Sequence, residues 1–133
     1  MINSELSILR KAETAAVNLH LRSDGIVHLI FKPIEELSID NALETFEMAG
    51  ILSKGKKIPT LITAHRFMNI ENEVRKLWAD GSVNRYSKAE ALVLKNVAVK
   101  LIGNFYIQIN KPSMPTQMFT AEEPAVEWLT RYV

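Results

Sequence analysis

Two hydrophobic periodicities alternate along this chain, and the alternation constrains the fold more than any other feature. Val17, Leu19 and Leu21 take turns with Asn18, His20 and Arg22, a period of two that fits a strand with one buried face. Ser23, Asp24 and Gly25 follow; Asp-Gly marks a turn because glycine tolerates positive φ. With the β-type run 26–31, residues 15–31 read as an antiparallel hairpin. The period then changes. Ser38 is a natural N-cap, and Ile39, Ala42, Leu43, Phe46, Ala49 and Gly50 share one helical face up to the stop at Gly55. Gly50 on that face permits close approach of helix and sheet.

The alternation continues to the end. Residues 58–64 read as a strand. Asn69 reads as the cap of a helix over 70–79, with Ile70, Val74, Leu77 and Trp78 on one side. Ala89 to Leu94, taken as a continuous apolar run, reads as a strand covered on both faces. Asn96 opens a third helix, 97–109; residues 116–119 form a last strand. Thr120 and Glu123 have the spacing of a capping box before a helix carrying Ala125, Trp128, Leu129 and Tyr132. Strands alternating with helices imply parallel strands joined by crossovers, so the expectation is an α/β fold: an N-terminal hairpin, then a mixed sheet of about five strands with four helices. Residues 14–133 form its single domain, with 1–13 loosely ordered before it.

Composition excludes several classes. A formal net charge of +1 gives no field that would draw the chain to nucleic acid or anionic lipid. Cysteine is absent, which removes disulfides, thiolate nucleophiles and cysteine-ligated metals and is compatible with a reducing cytoplasm. Residues 1–11 lack the apolar core of a secretory signal, and the stretch 97–109 is too short and too polar to span a bilayer. The five glycines, at 25, 50, 55, 81 and 103, build neither G-x-G-x-x-G nor a Walker loop, and no G-x-S-x-G elbow occurs.

The element order resembles the STAS-like fold of anti-sigma factor antagonists and of sulphate-transporter cytoplasmic domains. The residues that carry the resemblance are Asp24-Gly25-Ile26-Val27-His28, Ala91-Leu92-Val93-Leu94, Gly103-Asn104-Phe105-Tyr106, Lys111-Pro112-Ser113-Met114-Pro115-Thr116, Phe119-Thr120-Ala121-Glu122-Glu123 and Trp128-Leu129. As a set they are similar to a small bacterial family of uncharacterised, stand-alone STAS/SEC14-like (SpoIIAA-like) proteins, over roughly residues 14–132. The resemblance implies a binding or regulatory role. Anti-sigma antagonists switch on a phosphorylatable serine at the start of the helix after the third strand. The matching segment here, His65-Arg66-Phe67-Met68-Asn69-Ile70-Glu71, has no Ser, Thr or Gly. Glu71 and Glu73 would repel a phosphate there. The switch is therefore not carried over.

Candidate chemistry is sparse. His20, His28 and His65 have no metal-ligand spacing, and a cross-strand pairing of His20 with His28 is the simpler reading. Asp40, Glu44 and Glu47 read as a solvated helix face, as do Lys54, Lys56 and Lys57 at its end. His65, Arg66 and Asn69 fall at the C-terminal end of a parallel strand, where α/β sheets usually bind ligands. Surplus hydrophobicity is the stronger signal: Met48, Ile51 and Leu52 fall off the sheet-facing stripe of the first helix as an exposed patch, and Phe105 belongs to an unusually wide apolar arc on the third. The expectation is a non-enzymatic, cytoplasmic interaction module without cofactor or metal. It binds a protein partner or a second copy of itself as a homo-oligomer. The alternative is a SEC14-like binder of an apolar small ligand or lipid. Neither nucleic acid nor stable membrane insertion is expected.

Overall fold

The computed structural model describes residues 6–64, 68–94, 103 and 106–133. Six strands form one sheet: β1 (Ile8–Glu13), β2 (Val17–Arg22), β3 (Val27–Phe31), β5 (Ile58–Ala64), β7 (Ser87–Val93) and β8 (Thr116–Phe119), in the spatial order β1-β2-β3-β5-β7-β8. The first three are antiparallel and the rest run parallel to β3. A small parallel pair, β4 (Glu36–Leu37) with β6 (Asn69–Ile70), lies apart from it. The helices are α1 (Ile39–Leu52), α2 (Asn72–Ala79) and α3 (Glu122–Leu129). A further helical segment, between β7 and β8, is described at Gly103 and over the π-helical turn Tyr106–Asn110.

The expected hairpin forms. The Arg22–Ile26 turn is closed by Asp24, whose Oδ1 accepts from the Ile26 N–H at 3.3 Å, and by Gly25 at φ 85°. Alternation then sorts the side chains. Val17, Leu19, Leu21, Val27, Leu29 and Phe31 point to one face and join Ala42, Phe46, Val74 and Trp78 from α1 and α2 in the main core. Trp78 is its centrepiece, with ring centroids 4.8 Å from Phe46 and 5.7 Å from Phe31. On the opposite face Leu61, Ala89, Ala91 and Val93 pack against Ala125 and Leu129 of α3. The small residues Ala89 and Ala91 let that helix lie close. β7 is thus covered on both faces.

Several local expectations are corrected. Residues 8–13, expected as loose chain, are the sheet's edge strand β1. Asn69 does not cap α2; it pairs with Glu36 in the β4–β6 ladder, its N–H donates to the Glu35 carbonyl at 2.8 Å, and Glu71 takes the cap position. Ala121, not Thr120, is the N-cap of α3, with no side-chain cap. Pro124 in that first turn has no helical N–H to lose. Ser38 does cap α1, through a reciprocal pair with Asn41 (3.1 Å each way). Gly50 admits an aromatic ring rather than the sheet: a Cβ there would overlap the ring of Tyr86, on the loop before β7.

Candidate functional site

The sequence-derived site does not assemble as one cluster. His65, Arg66 and Phe105 lie outside the described residues. Asn69 is exposed, and its Nδ2 donates to Glu71 Oε1 at 2.8 Å. Of the proposed apolar patch on α1, only Ile51 is exposed (60%). Leu52 is buried, correcting the expectation, and Met48 is half-buried against the main core. The reason is β1. It extends the sheet under the end of α1, and Arg10 reaches up to donate from Nη2 to the Leu52 carbonyl at 2.6 Å. Without a strand there, Leu52 would indeed face water.

β1 itself is the most open structural element among the described residues. Its inner side is fixed to β2 by the pairs Lys11↔His20, Ala12↔Leu19 and Glu13↔Asn18. At the corner the Thr14 N–H donates to the Val17 carbonyl (2.8 Å), while Thr14 Oγ1 accepts from the Ala16 and Val17 N–H groups. Thr14 and Val17 are therefore a hydrogen-bonded pair. Antiparallel ladders alternate such pairs with non-bonded ones. Hence Ala12 directs its backbone groups inward to Leu19, and Lys11 and Glu13 direct theirs outward to the free edge. Ile8 (43%) and Leu9 (60%) are exposed beside them, and a bulge falls between Ile8 and Arg10. On α1, Glu44 accepts from the Ala15 N–H at 3.3 Å. Met48 and Ile51 follow Glu44 at i+4 and i+7, so that helical stripe overlooks the β1 edge.

A second feature lies inside and was hidden by the reading of 89–94 as continuously apolar: Glu90 interrupts that run and is 1% exposed. Its carboxyl accepts from Trp78 Nε1 (3.2 Å) and Asn84 Nδ2 (2.9 Å). Asn84 also donates to the Trp78 carbonyl at 2.9 Å, and Thr60 and Ser87 share a hydroxyl hydrogen bond of 2.9 Å alongside. Among the described residues no cation pairs with the carboxyl. Burial pushes it up to about 7, and its hydrogen-bond donors only partly offset this. A cavity of about 10 Å³ adjoins it, bounded by Thr45, Phe46, Thr60, Asn84 and Tyr86 among others, and holds one water molecule at most. The Tyr106 hydroxyl is buried without a partner among the described residues.

His20 and His28 do face each other across the hairpin, edge to face at 6.4 Å. His28 shares a 2.8 Å hydrogen bond with Thr63 Oγ1. Burial lowers it to about 4, against a smaller opposing effect of Glu122. Among the described residues no three His, Asp or Glu side chains converge to hold a metal, and no helix is long and apolar enough to cross a membrane.

An antiparallel hairpin feeding parallel strands, with α1 and α2 on one sheet face and α3 on the other, defines a SpoIIAA-like α/β protein. A crystal structure of an uncharacterised DUF3478-family protein with a SpoIIAA-like fold, from Shewanella loihica PV-4, is similar over 93% of each chain, with a TM-score of 0.50 and 11% identity. A protein of unknown function from Arthrobacter sp. FB24 shares 21% identity over 84% of this chain and 96% of its own, but its TM-score is only 0.29. No curated protein matches. The family described as "Domain of unknown function (DUF7793)" matches residues 19–133, and the chain belongs to it.

Proposed function

We propose that this protein is a non-enzymatic, SpoIIAA-like binding module that engages a protein partner, or a second copy of itself, along the β1 edge. The outward-directed backbone groups of Lys11 and Glu13 carry this reading, because an unpaired strand edge is a template for adding another strand. Exposed Ile8, Leu9 and Ile51 add apolar contact beside it. The lipid-binding alternative asks for an enclosed apolar volume; the cavity beside Glu90, lined by described residues, takes a water rather than an acyl chain and does not supply it. Lys11→Pro tests the proposal. The Lys11 N–H points away from β2 and is not used among the described residues, so the variant should keep the fold but lose an edge donor and block strand addition. Affinity capture from the native host should recover a partner, or a second tagged copy, with the parent and not with Lys11→Pro. Equal recovery with both would sink the proposal.

A further inference from the structure

We infer that the occupant of the β1 edge is a second copy of this chain, paired antiparallel about a two-fold axis through Ala12; this rests on the edge reading above. A two-fold normal to the sheet requires one residue to lie opposite itself. On the regular part of the strand the choices are Arg10, Lys11, Ala12 and Glu13. Three of these set like charges against each other, which is unfavourable in a cross-strand pair. Centring on Ala12 instead places Lys11 opposite Glu13 of the second copy, twice. Lys11 has no ion-pair partner among the described residues, so its ammonium is available; Glu13 already pairs with Lys32 of its own chain, and Lys11 of the second copy joins that carboxylate as a second cation.

The backbone agrees with the charges. In this register Lys11 and Glu13, whose N–H and C=O groups point outward, become the hydrogen-bonded pairs. Ala12 becomes the non-bonded pair, in which Cα atoms approach to about 4.5 Å and small side chains fit best. The helices agree as well. α1 rests over both β1 and β2. With strands about 4.8 Å apart, its axis lies about 5 Å from the two-fold, which puts the two α1 helices about 10 Å apart, an ordinary helix-packing distance. The stripe of Met48 and Ile51 then meets its own copy. Ile8 and Leu9 reach past the corner at Ala15 of the second copy, which gives their exposed side chains a neighbour.

Sedimentation equilibrium on the full chain, across a range of concentrations, tests the pairing. The parent should dimerise. Lys11→Glu should raise the dissociation constant by about tenfold or more, by placing Glu against Glu, and Lys11→Glu/Glu13→Lys should restore it to within about threefold when Lys32, the intrachain partner of Glu13, is replaced by Gln in all the proteins compared. The chain has no cysteine, so Ala12→Cys gives an independent readout: mild oxidation should link two copies covalently, because residue 12 meets itself, while Lys11→Cys should link far more slowly. A parent that stays monomeric, or a dimer indifferent to Lys11→Glu, overturns the pairing. The edge reading has its own fate. It survives a monomeric parent if Lys11→Pro abolishes capture of a different protein, and it falls with the pairing if Lys11→Pro changes neither.

Discussion

Replacing Glu90 by Gln should change how stability responds to pH more than it changes stability itself. The carboxyl is pushed from 4.5 up to about 7 by burial, with no cation paired to it among the described residues. Thr45 of α1, Thr60 of β5, Trp78 of α2, Asn84 of the following loop and Ser87 of β7 border it, all uncharged. A raised acid pKa means that the folded state holds its proton where the unfolded chain has released it. Stability is therefore full below about pH 4.5, falls as pH rises towards 7, and is constant above. At about 1.4 kcal/mol per pH unit the loss is on the order of 3 kcal/mol, or roughly 10 °C in Tm for a chain of this size. Gln keeps the oxygen that Trp78 needs but sets an amide against Asn84, a pH-independent penalty of about 1–3 kcal/mol. The absolute offset is thus uninformative and the slope is decisive. Urea melts of parent and variant from pH 4.5 to 8.5 should give a difference that shifts by about 3 kcal/mol in favour of the variant as pH rises. Parallel curves would refute the argument, because they would mean that the Glu90 carboxyl is not raised above its unfolded value by the fold.

Other outcomes follow from the same contacts. His28 is lowered to about 4 by burial, so its contribution runs the opposite way: stability present above pH 6.5 is lost as pH falls towards 4. His28→Gln should make the parent's pH curve decline more steeply from 4.5 to 7, and an unchanged curve would count against a neutral His28. Gly50→Ala should destabilise by about 1–3 kcal/mol, because the new methyl meets the Tyr86 ring; the double variant Gly50→Ala/Tyr86→Ala should recover part of that loss in denaturant melts. Leu52→Ala should cost about 2–5 kcal/mol and Ile51→Ser less than about 0.5 kcal/mol. Equal effects would contradict the burial that β1 gives to the end of α1. Tyr106→Phe removes a buried hydroxyl with no partner among the described residues and should raise stability by about 1 kcal/mol; a loss in the same melts would reveal a hydrogen bond to that hydroxyl.

The sequence made the fold legible wherever one periodicity ran unbroken. β2 and β3 alternate cleanly, and Asp24-Gly25 marks their turn. β1 did not read as a strand for two physical reasons. The bulge near Leu9 sets two residues against one and breaks the period of two, leaving apolar Ile8 and Leu9 adjacent. The corner into β2 has no Gly, Asn or Pro; the Thr14 hydroxyl closes it by binding two backbone N–H groups. The missed strand then misplaced Leu52, since the exposure of a helix's last turn depends on what lies beneath it. Asn69 and Thr120 show a different failure. Each has the side chain of a cap, but tertiary pairing took Asn69 into β6, and α3 begins one residue too late for Thr120. Glu90 was overlooked because its neighbours are small and apolar. The signal was there: a lone acid within a strand otherwise fit for burial on both faces, six residues after an Asn and twelve after a Trp, each able to donate to it.

The proposed pairing also says how the β1 edge would be specific rather than merely sticky. Natural sheets protect their free edges with charge, bulges and short strands. β1 has all three: Arg10, Lys11 and Glu13, the bulge beside Leu9, and six residues in all. Were solubility the sole purpose, a uniform charge would serve better, because every approaching register would then meet repulsion. The mixed signs of 10–13 instead leave one symmetric register unopposed while the neighbouring registers oppose like charges. Apolar Ile8 and Leu9 lie at the end of the strand, where they add contact only after that register has formed. Net charge near zero reinforces the point: long-range attraction contributes little to encounter, so selectivity must come from short-range matching along the edge. High salt should therefore weaken the Lys11–Glu13 pairing only modestly, because its backbone hydrogen bonds and the Met48–Ile51 contact are unscreened. A self-association that vanished at about 1 M salt would place the contact on exposed charges elsewhere rather than on this strand.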